Sequence, residues 1–184
     1  MKKPIYVWYA IYTRPNREKK IYELLQEEQI QCYLPLLKKL KQWSDRKKWI
    51  KEPLFKGYLF VKVSNKEFFN ILNVQGVVKY VSFGGKAQAI PESQIESIIT
   101  FINQEDKEIS ITQENISKGE KAEVLIGALK GLQGEIVQIN GQSRILIRIE
   151  TLGSCLYTNI SKDEVKILNR EEAKDNSVSS SPKE

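Results

Sequence analysis

An α+β fold is what this sequence predicts: an antiparallel sheet flanked by helices, followed by a small five-stranded β-barrel. Three observations carry it. Aromatic and β-branched runs at 5–12 and 57–63 are separated by stretches with helical spacing of apolar residues. From Lys118 onward, short apolar runs follow one another between glycine-bearing turns, with Asn140-Gly141 as the strongest hairpin signal. A polar stretch with isolated isoleucines, 104–117, separates the two patterns. The predicted organisation is a domain over 1–103, a linker over 104–117, a barrel over 118–168 and a disordered tail over 169–184.

The first strand, 5–12, places Val7, Tyr9 and Ile11 on one face and Tyr6, Trp8, Ala10 and Tyr12 on the other, because successive side chains point to opposite sides. It ends at Thr13-Arg14-Pro15-Asn16, where Asn16 suits the N-cap of a helix over 17–28. Ile21, Leu24 and Leu25 form the apolar stripe of that helix, while Arg17, Lys19 and Lys20 crowd its first turn. Cations at a helix N-terminus oppose the macrodipole, which points to an anionic ligand; plain solubility is the competing explanation. Strand character resumes over 31–40, with Pro35 favouring an edge or bulge. Residues 38–51 read as a long basic hairpin connection with Trp43 and Trp49 at its ends and Arg46, Lys47 and Lys48 at its tip.

The strand over 57–63 is the centre of the design. Tyr58, Phe60 and Lys62 share one face, and Leu59, Val61 and Val63 the other, so both faces are apolar. Helices can cover one; the aromatic face needs a second layer or a partner. Pro53 and Gly57 bracket a bend that puts Phe55 on display. Beyond it, 65–72 reads as a short helix with Phe68, Phe69 and Leu72 facing inward, and 77–83 as a strand closed by Gly84-Gly85. A helix starts near 89–92, with Ile95, Ile98, Ile99 and Ile102 at helical spacing. The barrel strands fall at 122–126, 134–139, 145–149, 155–159 and 165–168.

Hydrophobic residues at 41% and charged residues at 28% give the balance of a soluble globular protein. No apolar run approaches the roughly 20 residues of a membrane span and no signal-peptide core follows Met1, which predicts a cytoplasmic protein. Cys32 and Cys155 are far apart in strand-like segments, so buried free thiols are expected rather than a disulfide or zinc site. The chain has no histidine, no phosphate-binding loop and no dinucleotide fingerprint, so no enzyme, metal or cofactor is expected. Through Lys56 there are 14 Lys and Arg against 6 Asp and Glu; the remainder has 15 against 17. The basic excess therefore lies wholly in the first third and predicts a polyanionic partner there, with a solvated charged face as the competing reading.

Several motifs occur in order: Trp8-Tyr9, then Glu52-Pro53-Leu54-Phe55-Lys56-Gly57-Tyr58-Leu59-Phe60-Val61, then Phe83-Gly84-Gly85 with Ile90-Pro91. Together with the glycine-punctuated run from Val124 to Val137, they resemble the NusG family of transcription elongation factors, with an NGN-type N-terminal domain and a KOW barrel. Gln31-Cys32-Tyr33-Leu34-Pro35 and Glu52-Pro53-Leu54-Phe55 are more similar to the specialised RfaH-like (UpxY-like) branch than to housekeeping NusG. The resemblance implies a non-enzymatic, monomeric factor, without cofactor or membrane partner, that binds the clamp helices of the largest RNA polymerase subunit. It assigns that contact to Tyr12, Phe55, Tyr58 and Phe60, with Phe55 and Phe60 as plain core as the alternative. It further implies that Arg14, Arg17, Lys20 and Gln75 meet the single-stranded non-template DNA. Leu129, Leu132, Thr151 and Leu152 on the barrel would meet a small-subunit ribosomal protein or Rho, the competing reading being that the leucines cap the barrel. A general NusG-type factor and a KOW-type RNA- or ribosome-binding protein are the alternative functions. The β propensity of 145–149 and 153–159 predicts strands, not helix, as the ground state of this half.

Overall fold

The computed structural model describes residues 4–42, 46–104 and 107–168. The chain divides into two compact units, Met1–Pro91 and Glu92–Glu184. Both are mainly antiparallel β-sheet, and among the described residues each carries one α-helix. The expected disordered tail falls outside the described residues, as does Trp43.

In order, the first unit contains β1 (Val7–Thr13), helix α1 (Glu18–Glu27), β2 (Gln31–Tyr33), β3 (Leu36–Gln42), β4 (Lys47–Pro53) and β5 (Tyr58–Val63). There follow β6 (Val77–Tyr80), β7 (Ser82–Phe83), β8 (Lys86–Ala87) and β9 (Ala89–Ile90). The main sheet has the order β2-β5-β1-β6, and β9 also pairs with β1. Val7 lies opposite Val63 and Tyr12 opposite Tyr58, so the odd-numbered residues of both central strands share one face. Helix α1 covers that face: Ile21 and Leu25 are fully buried against Ile11, Leu59, Val61 and Val63. Each such side chain contributes about 1.5–3 kcal/mol relative to exposure.

Local chemistry shifts several predicted boundaries. Asn16 takes a left-handed φ of 59°, and the helix starts at Glu18 behind Arg17, with no side-chain cap hydrogen bond. A capping side chain reaches the first-turn N–H groups from extended backbone, which Asn16 does not have. The strand expected over 31–40 breaks at Leu34-Pro35; β2 stays in the sheet, and β3 leaves it to form a separate ribbon with β4. The predicted basic connection is thus strand on both sides, disguised by lysines that are ordinarily scarce in strands. Over 65–72 only Asn70–Asn73 closes as a 3-10 helix. Phe68 packs on the core, but Phe69 is 70% exposed and Leu72 40%. The strand expected over 77–83 also splits, its last two residues forming β7, which folds back on β8 about Gly84-Gly85.

The second unit contains helix α2 (Glu92–Asn103), β10 (Ser110–Thr112), β11 (Glu120–Val124), β12 (Gln133–Ile139), β13 (Gln142–Ile149), β14 (Ser154–Asn159) and β15 (Val165–Ile167). All five expected strands form, and Asn140-Gly141 turns β12 into β13 with positive φ at both residues. The sheet order is β10-β14-β13-β12-β11-β15, and among the described residues no ladder joins its two ends. A six-stranded sheet therefore stands where a closed five-stranded barrel was expected. The extra strand comes from the predicted linker: Ser110-Ile111-Thr112, with two β-branched residues, pairs along β14.

A charged fork braces this sheet. Arg148 Nε donates to Glu135 Oε1 at 2.8 Å and Nη2 to Oε2 at 3.0 Å, while Nη2 also reaches the Ser117 carbonyl at 3.1 Å. The Gly119 N–H donates to Glu135 Oε2 at 3.0 Å, so one carboxylate holds both β13 and the chain leading into β11. Burial pushes the Glu135 carboxyl up, but the hydrogen bonds from Arg148 and Gly119 outweigh it and hold the group below its ordinary value.

Candidate functional site

The end of β1 gathers the side chains that the sequence singles out in the first unit. The Thr13 N–H donates to the Gly57 carbonyl at 2.8 Å, and the Arg14 N–H to the Gly76 carbonyl at 2.9 Å. The last residue of β1 and the residue after it therefore anchor two different loops. One leads into Tyr58; the other carries Gln75.

Both anchors require glycine. Gly57 has φ +80°, and a Cβ there would sit 3.2 Å from Tyr12 Cε2. Gly76 has φ +102°, and its Cβ would lie 3.0 Å from Ile21 Cδ1 and 3.8 Å from Arg17 Cβ. Only a bare backbone lets the 75–76 loop close down on α1. A third tie comes from Glu18: its buried Oε1 accepts the Gly57 N–H at 2.7 Å. An acid in the first helical turn suits the macrodipole as well, so the turn that looked crowded with cations has a carboxylate inside it.

On the aromatic side, Tyr12 and Tyr58 are directly opposed, their ring centroids 5.4 Å apart and their planes at 58°. Both are half-buried. Lys62 extends over the Trp8 ring, its nitrogen 5.8 Å from the centroid. Phe55 and Phe60 behave differently. They are 3% and 0% exposed, in edge-to-face contact at 6.0 Å, and Tyr33 stacks near Phe60 at 6.4 Å. The Leu54 N–H donates to the Pro35 carbonyl at 2.8 Å, and the bend that was expected to display Phe55 instead turns it onto Phe60. Of the four aromatic candidates, the two tyrosines keep accessible surface. Burial also pushes the Tyr33 hydroxyl up to about 12.

On the basic side, Arg14, Arg17, Lys20 and Gln75 are all exposed. The Arg17 N–H donates to the Arg14 carbonyl at 3.2 Å, and with the Gly76 approach this brings Arg14, Arg17 and Gln75 together. Lys20 lies one turn further along α1 and pairs with Glu23 at 3.7 Å, with both side chains about 60% exposed, so the pair contributes little stability. Lys19 Nζ donates to the Lys51 carbonyl at 2.7 Å and ties α1 to the ribbon.

In the second unit, Leu129, Leu132 and Leu152 are 2%, 4% and 9% exposed, and Thr151 is half-buried. The three leucines are thus buried where exposed contacts were expected. The loop that holds two of them is pinned by Val124 and Gly131, whose N–H groups donate to the Leu132 and Val124 carbonyls at 2.9 and 2.8 Å. Its accessible apolar residues are Leu125 and Ile126, 43% and 55% exposed. Sequence reasoning missed them, because in an alternating run they look like the end of a strand.

The sequence model of a family described as "Transcription termination factor nusG" matches residues 6–99, more than half of the 184. The chain belongs to the NusG family. The match spans Tyr12, Phe55, Tyr58 and Phe60 as well as Arg14, Arg17, Lys20 and Gln75, and stops short of the barrel candidates. Among NusG relatives, the transcription termination/antitermination protein NusG of Streptococcus pyogenes serotype M1 is 25% identical over 161 residues, covering 80% of this chain and 88% of that protein. The NusG of Lactococcus lactis subsp. lactis is 21% identical over 173 residues, covering 86% and 91%. A solved structure of domain interaction in Thermotoga maritima NusG is 18% identical and covers 89% of this chain and 98% of its own, with a TM-score of 0.46. Relatives of this family are named as transcription termination and antitermination proteins, and no helix among the described residues is long and apolar enough to cross a membrane.

Proposed function

We propose that this NusG-family protein is a transcription antitermination and elongation factor of the RfaH-like branch, riding on RNA polymerase and recruited to particular operons through the non-template DNA strand. One observation carries the reading: β1 ends between a half-buried tyrosine pair and a cluster of exposed cations, with Thr13 and Arg14 anchoring one loop to each. Tyr12 and Tyr58 are the anchors for the clamp helices, because tyrosine buries a large area with few rotors. Phe55 and Phe60, buried in contact with each other, set the shape of that face. Arg14, Arg17 and Lys20 hold the phosphates of the flipped-out strand, and Gln75 offers an amide to base edges. Polymerase engages the NGN-type first unit, while the KOW-type sheet of the second unit recruits a small-subunit ribosomal protein or Rho. Leu125 and Ile126 join Thr151 on the accessible part of that surface.

A pull-down with core RNA polymerase tests the docking face. Tyr58→Ala should weaken the complex by about 2 kcal/mol, roughly thirtyfold, with folding intact. Wild-type affinity in that variant would return the strand to ordinary core. Pausing assays on templates that differ only in non-template sequence separate the specialised factor from a general one, because an equal effect on every template removes the operon-specific reading.

A further inference from the structure

The β3–β4 ribbon has no part in that scheme. Its base is held by Leu34 in the core and Leu36 packed against it, but every residue from Lys38 to Gln42 and from Lys47 to Trp49 is exposed. Register pairs Leu40 with Trp49, which are 50% and 66% exposed. Alternation then puts Lys47, Trp49 and Lys51 on one face and Lys48 and Ile50 on the other, where Lys39 lies opposite Ile50. Both faces carry cations, and each side chain of the central Leu40–Trp49 pair lacks cover. An isolated two-stranded ribbon is marginal in water, and a two-sided basic surface wastes half its charge on a partner that meets one face only.

We propose that this ribbon enters the major groove of duplex DNA. The groove of B-form DNA is about 12 Å wide and admits a two-stranded ribbon, whose two faces then meet the phosphates of the two walls. Lys47 and Lys51 serve one wall, with Trp49 between them on the same face, and Lys39 and Lys48 serve the other. A-form RNA has a major groove too deep and narrow for such an element, and a single strand offers phosphates to one face only. The proposal concerns the protein and DNA alone and holds whether or not polymerase docks at Tyr58.

The test is fluorescence anisotropy of the full chain with a labelled 20-base-pair DNA duplex, the same sequence as a single strand, and the RNA duplex, each over a salt series. Two double variants, K47Q/K51Q and K39Q/K48Q, are compared after matching thermal unfolding to wild type. Both should lose tens of fold in duplex affinity near 0.1 M salt and lower the slope of log K against log salt by about 2, since each phosphate contact contributes roughly 0.9. Trp49→Ala should lower affinity without changing the slope. Loss in only one of the two double variants would mean a one-sided platform and overturn the groove reading. So would tighter binding to the single strand or the RNA duplex, or wild-type affinity in both variants.

Discussion

Removing the Glu18 carboxylate should uncouple the start of β5 from helix α1. Glu18 is 5% exposed and its Oε1 accepts the Gly57 N–H at 2.7 Å, a charge-assisted bond to a buried backbone donor. Such bonds contribute about 1.5–3 kcal/mol, and deleting the acceptor leaves the donor buried without a partner. The lost first-turn acid adds about 0.3–1 kcal/mol through the helix macrodipole. Glu18→Ala should therefore destabilise the protein by about 2–4 kcal/mol, which with a urea dependence of about 1–3 kcal/mol per molar lowers the midpoint by roughly 1–2 M. Glu18→Gln keeps an accepting oxygen and should recover at least half of the loss. Urea unfolding followed by tryptophan fluorescence measures both. An alanine variant within about 0.5 kcal/mol of wild type, or a glutamine variant no better than alanine, would refute the role assigned to this carboxylate.

Other consequences are open to equally direct measurement. Glu135 has a lowered folded-state value, so its contribution is fully present above the ordinary carboxylate range near 4.3 and is lost as pH falls through the lowered value. Acid titration of stability should show that loss in wild type and a flatter profile in Glu135→Gln. Gly119→Ala would place a Cβ 2.0 Å from the Ile136 carbonyl oxygen, a clash with backbone that should cost several kcal/mol and show as a large drop in the melting temperature. Burial pushes the Cys32 thiol up to about 11 and raises Cys155 as well, so neither should react appreciably with iodoacetamide at pH 8 until the protein is unfolded, as intact-mass analysis would show.

The parts of the fold legible in the sequence were those in which alternation decides burial. In β1 and β5 strict period-two patterning assigned Ile11, Leu59, Val61 and Val63 to one face, and the helix over them follows from Ile21 and Leu25. The ribbon was hidden because Lys38, Lys39, Lys41, Lys47 and Lys48 overwhelm the strand signal of Leu40, Trp49 and Ile50, and nothing local announces that a strand will leave its sheet. At the candidate site, the basic residues lie where their polarity suggested. Phe55 and Phe60 do not, since an aromatic ring in a bend serves equally as anchor or core until its neighbours are known. Glu18 gave no signal at all; a carboxylate one turn into a cationic helix looks like charge balance, and its partner is 39 residues away.

Gly76 fits against Ile21 with no room for a methyl group, whereas Arg14, Arg17, Lys20 and Gln75 all point into solvent. Scaffold and exposed surface are therefore separable during divergence. The loop cannot drift without disturbing the packing under it, but its solvent-facing side chains can be exchanged one at a time for about 0.5 kcal/mol of stability or less. A duplicated copy of such a gene could change the chemistry of this surface through a handful of substitutions, each tolerated by folding and each exposed to selection on its own.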